Sequence, residues 1–315
     1  MNPDPLFLCN PKLACPDCGG GRKQRRGCPA CRGSGFARMS LAGLWSPSAA
    51  FLVCGGPSLN RFRYERLADR GIASLAINNA AGLVPCRAWT FGDPQSKFHH
   101  GLFMDPAVLT FAPTGKLRKQ PRVKLPDGTF RTLDVEVRNC PGTVGYSRTG
   151  KFDAATFLTD WTAHWGHGGG SGKDRPFTLL ETMLLGLRLL HYLGCPRVYL
   201  LGVDFHMPKV GGQYAFGQSK KARNRRYGKA NRLLAELRPV FDAAGFTVYN
   251  CNSESQCTAF EHRTFDDALT DCRGLVPTRE PWDLSEWYCK DVERAGRERW
   301  PDPVGVEQAR AMTEG

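Results

Sequence analysis

From Ala49 onward the chain alternates short apolar runs with glycine-bounded turns and amphipathic stretches. AAFLVCGG (49–56) predicts a buried strand, SLNRFRYERLADRG (58–71) a helix ended by Gly71, IASLAINNA a second strand and PCRAWTFGDP a third that closes on Asp93. PFTLLETMLLGLRLLHYLG predicts a core-facing helix, with Leu179, Met183, Leu187 and Leu190 at helical spacing. PRVYLLGVDF reads as a strand ending at Asp204, GKANRLLAELRPVFDAAG as a helix, FTVYNCN as a last strand and EHRTFDDALTDC as a short helix. Continuous apolar runs, rather than alternating ones, separated by helices are the pattern of a parallel sheet covered on both faces. The expected fold is therefore α/β, a mostly parallel sheet with flanking helices.

In such sheets ligands bind beyond the carboxyl ends of the strands. Three of the predicted strands exit into polar groups: Gly55, Gly56 and Ser58 after the first, Asn78 and Asn79 after the second, Asp93 after the third. GGPSL lacks the G-x-G-x-x-G order of a dinucleotide fingerprint. Its glycines allow close approach of a ligand, Pro57 suits a first helical turn, and Ser58 can cap a helix or donate to phosphate. A tight turn with no ligand is the plain alternative. Residues 94–150 are less regular. TGKLRKQPRVKLPDGTFRTLDVEVRN reads as a basic hairpin turning at Pro126-Asp127-Gly128, an insertion or lid placed to touch an acceptor, and CPGTVGYSRTG reads as a glycine- and hydroxyl-rich loop. WTAHWGHGGGSGKDRP is no phosphate-binding P-loop, because His167 and Asp174 stand where glycine and Ser or Thr are needed. His164 and His167 receive no assignment.

Charge changes this picture. The 315 residues carry a formal net charge of +13, unevenly spread. Between Pro11 and Arg38 seven basic residues face one acid, Asp17, and between Gly217 and Arg232 seven face none. Local fields of this kind favour polyanions, nucleic acid above all. No apolar run near Met1 has the form of a signal peptide, and the longest apolar segment is interrupted by Glu181 and Arg188, so the expectation is a soluble cytoplasmic protein without a membrane span, in the host cytoplasm if phage-encoded.

The thirteen cysteines crowd toward the N-terminus. In ACPDCGGGRKQRRGCPACRGSGF, Cys15 and Cys18 form one C-x-x-C pair and Cys28 and Cys31 another, nine residues apart. Four thiolates with glycines that let the backbone turn around sulfur suit a closed tetrahedral zinc site, and nothing nearby suggests redox work. CPACRGSG resembles the C-x-x-C-x-G-x-G repeat of DnaJ-type zinc domains, a structural likeness that carries no chaperone activity. The loop between the pairs, GGGRKQRRG, is basic enough to rest on a phosphate backbone. Cys9 stands outside the spacing and reads as a spare thiol.

FLVCGGPSL, SLAINNA, TFGDP, VYLLGVDF, the YAF of Tyr214 to Phe216 and FTVYNCNSESQCTAF together resemble, in order from about 49 to 270, the bacterial alpha-2,3/2,8-sialyltransferases and the related motility-accessory-factor and MptE-like proteins. The resemblance implies a Rossmann-like domain, a GT-A-like variant, that binds a nucleotide-activated donor. By position it implies that Gly55, Gly56, Pro57 and Ser58 line the donor's phosphates with Asn78 or Asn79 beside them, that Asp204 sits near the ribose or base, and that the Tyr214 hydroxyl meets phosphate. His206 stands where the sialyltransferases have a tyrosine. Those enzymes carry a catalytic histidine after YAF, whereas QSKKARNRRYGKANRL has none; either another group takes the acceptor's proton, Asp93 by its place at a strand end and after it His206, or the reaction is a different one.

The reading is a glycosyltransferase moving a sugar from a nucleotide-sugar to a hydroxyl, with a hydroxymethyl pyrimidine in phage-type DNA as the acceptor and zinc in a structural role. Three alternatives stand beside it: an MptE-like pterin pyrophosphokinase using ATP and Mg2+ held by Asp93 and Asp204, a non-catalytic zinc-containing nucleic-acid binder, and a transferase acting on protein or saccharide. The expected organisation is a zinc knuckle module at 1–40, a Rossmann-like domain at 49–275 with a basic insertion at about 111–150, and a surface-wrapping tail at 276–315. Oligomeric state is not legible.

Overall fold

The computed structural model describes residues 8–69, 71–125, 129–147, 153–159, 181–207, 214, 215, 224 and 227–273. The segments around His164, His167 and the basic run before Arg232, together with the tail from 274, lie outside the described residues.

One ten-stranded sheet organises the chain, in the order β12-β11-β10-β3-β4-β5-β6-β9-β1-β2. Its central strands are β3 (Ala50–Val53), β4 (Ala73–Ile77), β5 (Ala88–Thr90), β6 (Leu109–Pro113) and β9 (Thr143–Tyr146) on one side, then β10 (Arg197–Leu201), β11 (Thr247–Asn250) and β12 (Glu261–His262) on the other. All of these run parallel. The remaining two, β1 (Leu8–Ala14) and β2 (Phe36–Met39), form an antiparallel hairpin joined to β9. A second, two-stranded sheet pairs β7 (Arg122–Lys124) with β8 (Phe130–Thr132), the hairpin expected around Pro126.

The chain starts its parallel sheet in the middle. From β3 it steps outward through β4, β5, β6 and β9, then returns to the other side of β3 with β10 and steps outward again through β11 and β12. The order therefore reverses between β3 and β10, which makes the carboxyl ends of those two strands the topological switch point where an α/β sheet opens a crevice.

Both faces are buried, as continuous apolar runs require. In β3, Ala50 and Leu52 face one core with Leu184, Leu187 and Leu190 of α2 (Glu181–Tyr192) and Leu233, Leu237 and Phe241 of α3 (Tyr227–Ala243). Phe51 and Val53 face the other, with Leu102 and Phe103 of α1 (His100–Met104) and Ala268, Leu269 and Cys272 of α4 (Phe265–Cys272). Thr264 caps α4, its hydroxyl accepting from the Asp267 amide at 3.1 Å.

Two sequence expectations change. The helix predicted over 58–71 is two separate 3-10 turns, Pro57–Arg61 and Tyr64–Ala68, with extended Phe62 (φ −91°, ψ 148°) between them. The buried side chains Leu59, Tyr64 and Leu67 are spaced five and three apart, and an α-helix would put Leu59 and Tyr64 on different faces. The glycine-rich loop at 140–150 contains β9, buried throughout. Strands β6 and β9 lie at the two ends of the span expected as a basic insertion. The cysteine-bearing segment is the far end of the β1–β2 hairpin.

Candidate functional site

The switch point is built from two loops in close contact. After β3, Gly56 donates its amide to the Gly202 carbonyl at 2.8 Å, and after β10, Gly202 adopts a left-handed φ of 67°. A side chain at 56 would meet the Gly202 oxygen at 2.5 Å and the Asp204 carboxylate at 2.7 Å, so glycine there permits strand-to-strand approach. Asp204 then closes the junction. Its carboxylate accepts from the Ser58 amide at 2.9 Å, from the Ser58 hydroxyl, and from Asn252 Nδ2 at 2.9 Å.

This geometry joins Ser58 to Asp204 in an arrangement that the sequence does not reveal. The Ser58 amide and hydroxyl, expected to meet phosphate, both engage a carboxylate of the protein itself. The Leu59 amide bonds back to Gly56 at 3.0 Å, and the Gly55 carbonyl accepts from Ala215 at 3.0 Å, which holds Tyr214 beside the loop. Pro57, without an amide hydrogen, opens the first 3-10 turn. Asp204 is thus a latch between β3, β10 and the loop after β11.

Around the latch stand groups that sequence reasoning missed. Asn252 follows β11 and had no motif of its own. Tyr227 opens α3 and stacks on Phe205, with ring centroids 5.1 Å apart. Burial first, then the proximity of Tyr214 and Asp204, pushes the Tyr227 hydroxyl up to about 12, so it stays a neutral donor. Arg61 pairs with Glu254 at the rim. His206 is exposed just beyond Asp204. Phe205 between them has a left-handed φ of 51°, uncommon for an aromatic residue and held there by its stacking.

A second polar group lies at the ends of β4 and β5. Asn78 is also left-handed (φ 48°); its side-chain oxygen accepts from the Gly92 amide at 2.9 Å and the Asp93 amide at 3.4 Å, and its carbonyl accepts from Trp89 Nε1 at 3.0 Å. Asn79 is half-buried in the same turn. Asp93 forms an ion pair with Lys97 at 2.9 Å, and Lys116 donates to the Gly92 carbonyl at 3.1 Å while lying 5.0 Å from the Phe91 ring centre. Asn78 braces the Asp93 loop rather than pointing toward Ser58. Asp93 follows β5 and Asp204 follows β10, with β3 and β4 between those strands in the sheet, and each carboxylate has its own protein partners.

The β7–β8 hairpin is seated on the stretch that follows the Asp93 turn: Lys124 donates its amide to the Phe98 carbonyl at 3.0 Å, just beyond Lys97. On the hairpin, exposed Phe130 lies under the Arg122 guanidinium, 5.1 Å from the ring centre, and Arg131 is exposed beside it.

The four expected cysteines come together at the tip of the β1–β2 hairpin. The sulfurs of Cys15, Cys18, Cys28 and Cys31 all lie within 4.8 Å of one another. Cys15 and Cys28 are 4.0 Å apart, Cys18 and Cys31 3.6 Å. A tetrahedral site with metal–sulfur bonds of about 2.3 Å has sulfurs about 3.8 Å apart, so the set fits zinc without rearrangement. Burial opposes the Cys31 thiolate, but the Gly35 amide, the Cys18 and Cys28 thiols and the Gly33 amide outweigh it and lower its pKa to about 7. The Gly35 amide donates to the Cys31 sulfur at 3.3 Å. Among the described residues this is the only cluster arranged for a metal. Cys9 is buried on β1 and takes no part.

No protein-family model matches the chain, and no curated protein matches it. Among solved structures, a MAf glycosyltransferase from Magnetospirillum magneticum AMB-1 is similar over 87% of this chain and 38% of its own, with a TM-score of 0.40 and 12% identity. The chain spans little more than a third of the length of that protein, and residue roles do not carry across so distant a likeness. No described helix is long and apolar enough to cross a membrane.

Proposed function

We propose that the protein transfers a sugar from a nucleotide-activated donor to a hydroxyl group on nucleic acid. One observation carries the reading. The segments that resemble the sialyltransferase and motility-accessory-factor group fall after β3, β4, β5, β10 and β11, along one carboxyl edge that straddles the switch point. That is the edge where an α/β sheet receives nucleotides.

In this account the nucleotide lies over the β3–β10 junction, with Gly55, Gly56, Pro57 and Ser58 forming its floor and Asp204 holding that floor rigid. Tyr214, His206 and Asn79 face the donor's phosphates, and the sugar extends across the ends of β3 and β4 toward Asp93. Asp93 takes the proton from the acceptor hydroxyl as its oxygen bonds to the anomeric carbon. The anomeric carbon–phosphate oxygen bond breaks, and the charge gained by the departing nucleotide is met by Tyr214, His206 and Arg61. Zinc, held by the four cysteines, supports the hairpin and takes no part in transfer. Asn78 acts through the Asp93 loop as a positioning residue. The net charge of +13, the basic loop between the cysteine pairs and the exposed Phe130–Arg122 pair on the β7–β8 hairpin support a nucleic-acid acceptor, with a hydroxymethyl pyrimidine supplying the hydroxyl.

A second reading, a nucleic-acid binder without catalysis, is favoured by the engagement of Ser58 with Asp204, which leaves the loop self-satisfied. Incubation with hydroxymethylcytosine-containing DNA and UDP-, CMP- or GDP-sugars, followed by nucleoside mass spectrometry, separates the two. Transfer predicts a hexose-sized mass gain that Asp93→Asn abolishes. Unchanged nucleosides with every donor, alongside intact DNA binding, would establish the binder.

A further inference from the structure

The basic loop of the cysteine hairpin and the basic insertion are not two separate patches. Arg25 comes from the loop between the cysteine pairs, Arg118 from the stretch after β6, and Arg138 from the approach to β9. Gly35, at the neck of the cysteine hairpin with a left-handed φ of 76°, marks where the first two meet: a side chain there would lie 3.1 Å from Arg118 Nη2 and 3.1 Å from Arg25 Cδ. The Arg118 guanidinium stacks over Phe36, 4.5 Å from the ring centre. Backbone bonds fix the third arginine alongside, since Arg138 donates to the Leu117 carbonyl at 2.9 Å and Val137 to the Lys119 carbonyl at 3.0 Å.

Three guanidinium groups are thereby gathered from distant parts of the chain, with one carboxylate, Glu136, among them and already paired to Arg138. The Arg118 pKa is lowered by burial and then by the charges of Arg25 and Arg138, so like charges are held together against their repulsion. Exposed Arg22, Lys23 and Arg26 extend the same loop. Guanidinium groups are suited to bidentate contact with phosphodiester oxygens. Lys116, two residues before Arg118, is tied to the Asp93 loop, and the α-carbons of 116 and 118 are at most about 7 Å apart.

We infer that the seam between the cysteine hairpin and the paired stretches around Arg118 and Arg138 is a nucleic-acid backbone site, in which Arg25, Arg118 and Arg138 take successive phosphates of a strand leading toward Asp93. The metal acts on this site by fixing the loop that carries Arg25. The inference gives the proposed acceptor a specific grip and rests on that reading for its direction toward Asp93, while the binding itself requires no sugar donor.

The test is fluorescence anisotropy of the full chain with a labelled single-stranded 20-mer over a salt series. Arg25→Ala with Arg118→Ala should weaken binding about tenfold or more and flatten the log–log salt slope by about 1.4, two phosphate contacts' worth. Lys229→Ala with Arg232→Ala, an equal loss of charge at exposed positions of α3, should leave both nearly unchanged. Stripping the metal with a chelator, with the fold checked by circular dichroism, should reproduce the flattening. Wild-type slope and affinity in the Arg25/Arg118 variant, an equal loss in the Lys229/Arg232 variant, or binding to anionic phosphatidylserine vesicles but not to the oligonucleotide would each overturn the inference. Failure of sugar transfer with the seam effect intact would sink the transferase reading alone.

Discussion

Replacing Asp204 with alanine separates a structural latch from a ligand contact. The substitution removes a carboxylate that accepts from the Ser58 amide and from Asn252 at 2.9 Å each, and from the Ser58 hydroxyl. Hydrogen bonds to a charged group contribute about 1.5–3 kcal/mol apiece, but these share one half-buried acceptor and are not additive, so the expected loss is about 2–4 kcal/mol. For a chain of this size that lowers the melting temperature by roughly 3–6 °C. Asp204→Asn keeps an acceptor oxygen and should lose about half as much. Ser58→Ala should lose about 1 kcal/mol, and its effect should largely vanish in the Asp204→Ala background, because both changes remove the same bond. Differential scanning fluorimetry and urea unfolding of the ligand-free protein read all four variants of the cycle. If Asp204→Ala melts within a degree or two of wild type, or if the two substitutions add independently, the latch does not hold the switch point together and Asp204 serves a ligand instead.

Other outcomes follow from the same geometry. Metal analysis should find about one zinc per chain, lost in Cys15→Ser/Cys31→Ser and released as pH falls and thiolates protonate; metal-free native protein would contradict the assignment. Asp271 accepts from Arg197 Nε and Nη2 at 2.7 Å and from Tyr199 at 2.8 Å, and the Arg197 hydrogen bonds hold its pKa below the ordinary value. Its stabilisation is present above the unfolded carboxyl value and is lost as pH falls through the lower folded one, so Asp271→Asn should cost about 1 kcal/mol near neutrality, after screening, and nothing measurable once pH has fallen below the lowered folded value. His191 is held neutral by burial and then by Arg188, packed edge-on to Phe246 at 5.1 Å. Because its folded pKa is lowered, the unfolded chain takes the proton first, and stability should fall as pH drops below about 6.5; His191→Leu should flatten that slope in urea titrations between pH 7 and 5.

Much of the sheet is readable in the chain because its strands are short, wholly apolar and ended by glycine or an acid. β3, β4, β5, β10 and β11 and helices α2 and α3 lie where periodicity places them. β9 escaped because Thr143-Val144-Gly145-Tyr146 is brief and contains a glycine; a side chain at 145 would collide with Leu117 Cδ1 at 2.7 Å, a tertiary reason invisible locally. β1 escaped because Pro11 reads as a strand breaker, yet the pairing register with β2 slips between Asn10 and Ala14, where a proline is tolerated. The cysteine cluster was fully legible, since two C-x-x-C pairs carry their own geometry. At the candidate site, Ser58 and Asp204 were identified as rim residues, but their mutual bond was not. Motif spacing locates polar groups at strand ends and says nothing of whether they face a ligand or each other. Asn252, Tyr227 and Lys116 had no local signal, because each matters only through where its neighbouring element docks.

The account turns on whether a phosphorylated nucleotide occupies the β3–β10 crevice, and isothermal titration calorimetry of the metal-loaded protein against CMP-, UDP- and GDP-sugars, with ATP in parallel, tests it directly. Saturable binding of one nucleotide-sugar at a single site, weakened at least tenfold by Gly56→Trp with the zinc content unchanged, is the predicted result. Absence of heat with every sugar donor, or equal binding by the Gly56→Trp protein, would contradict it.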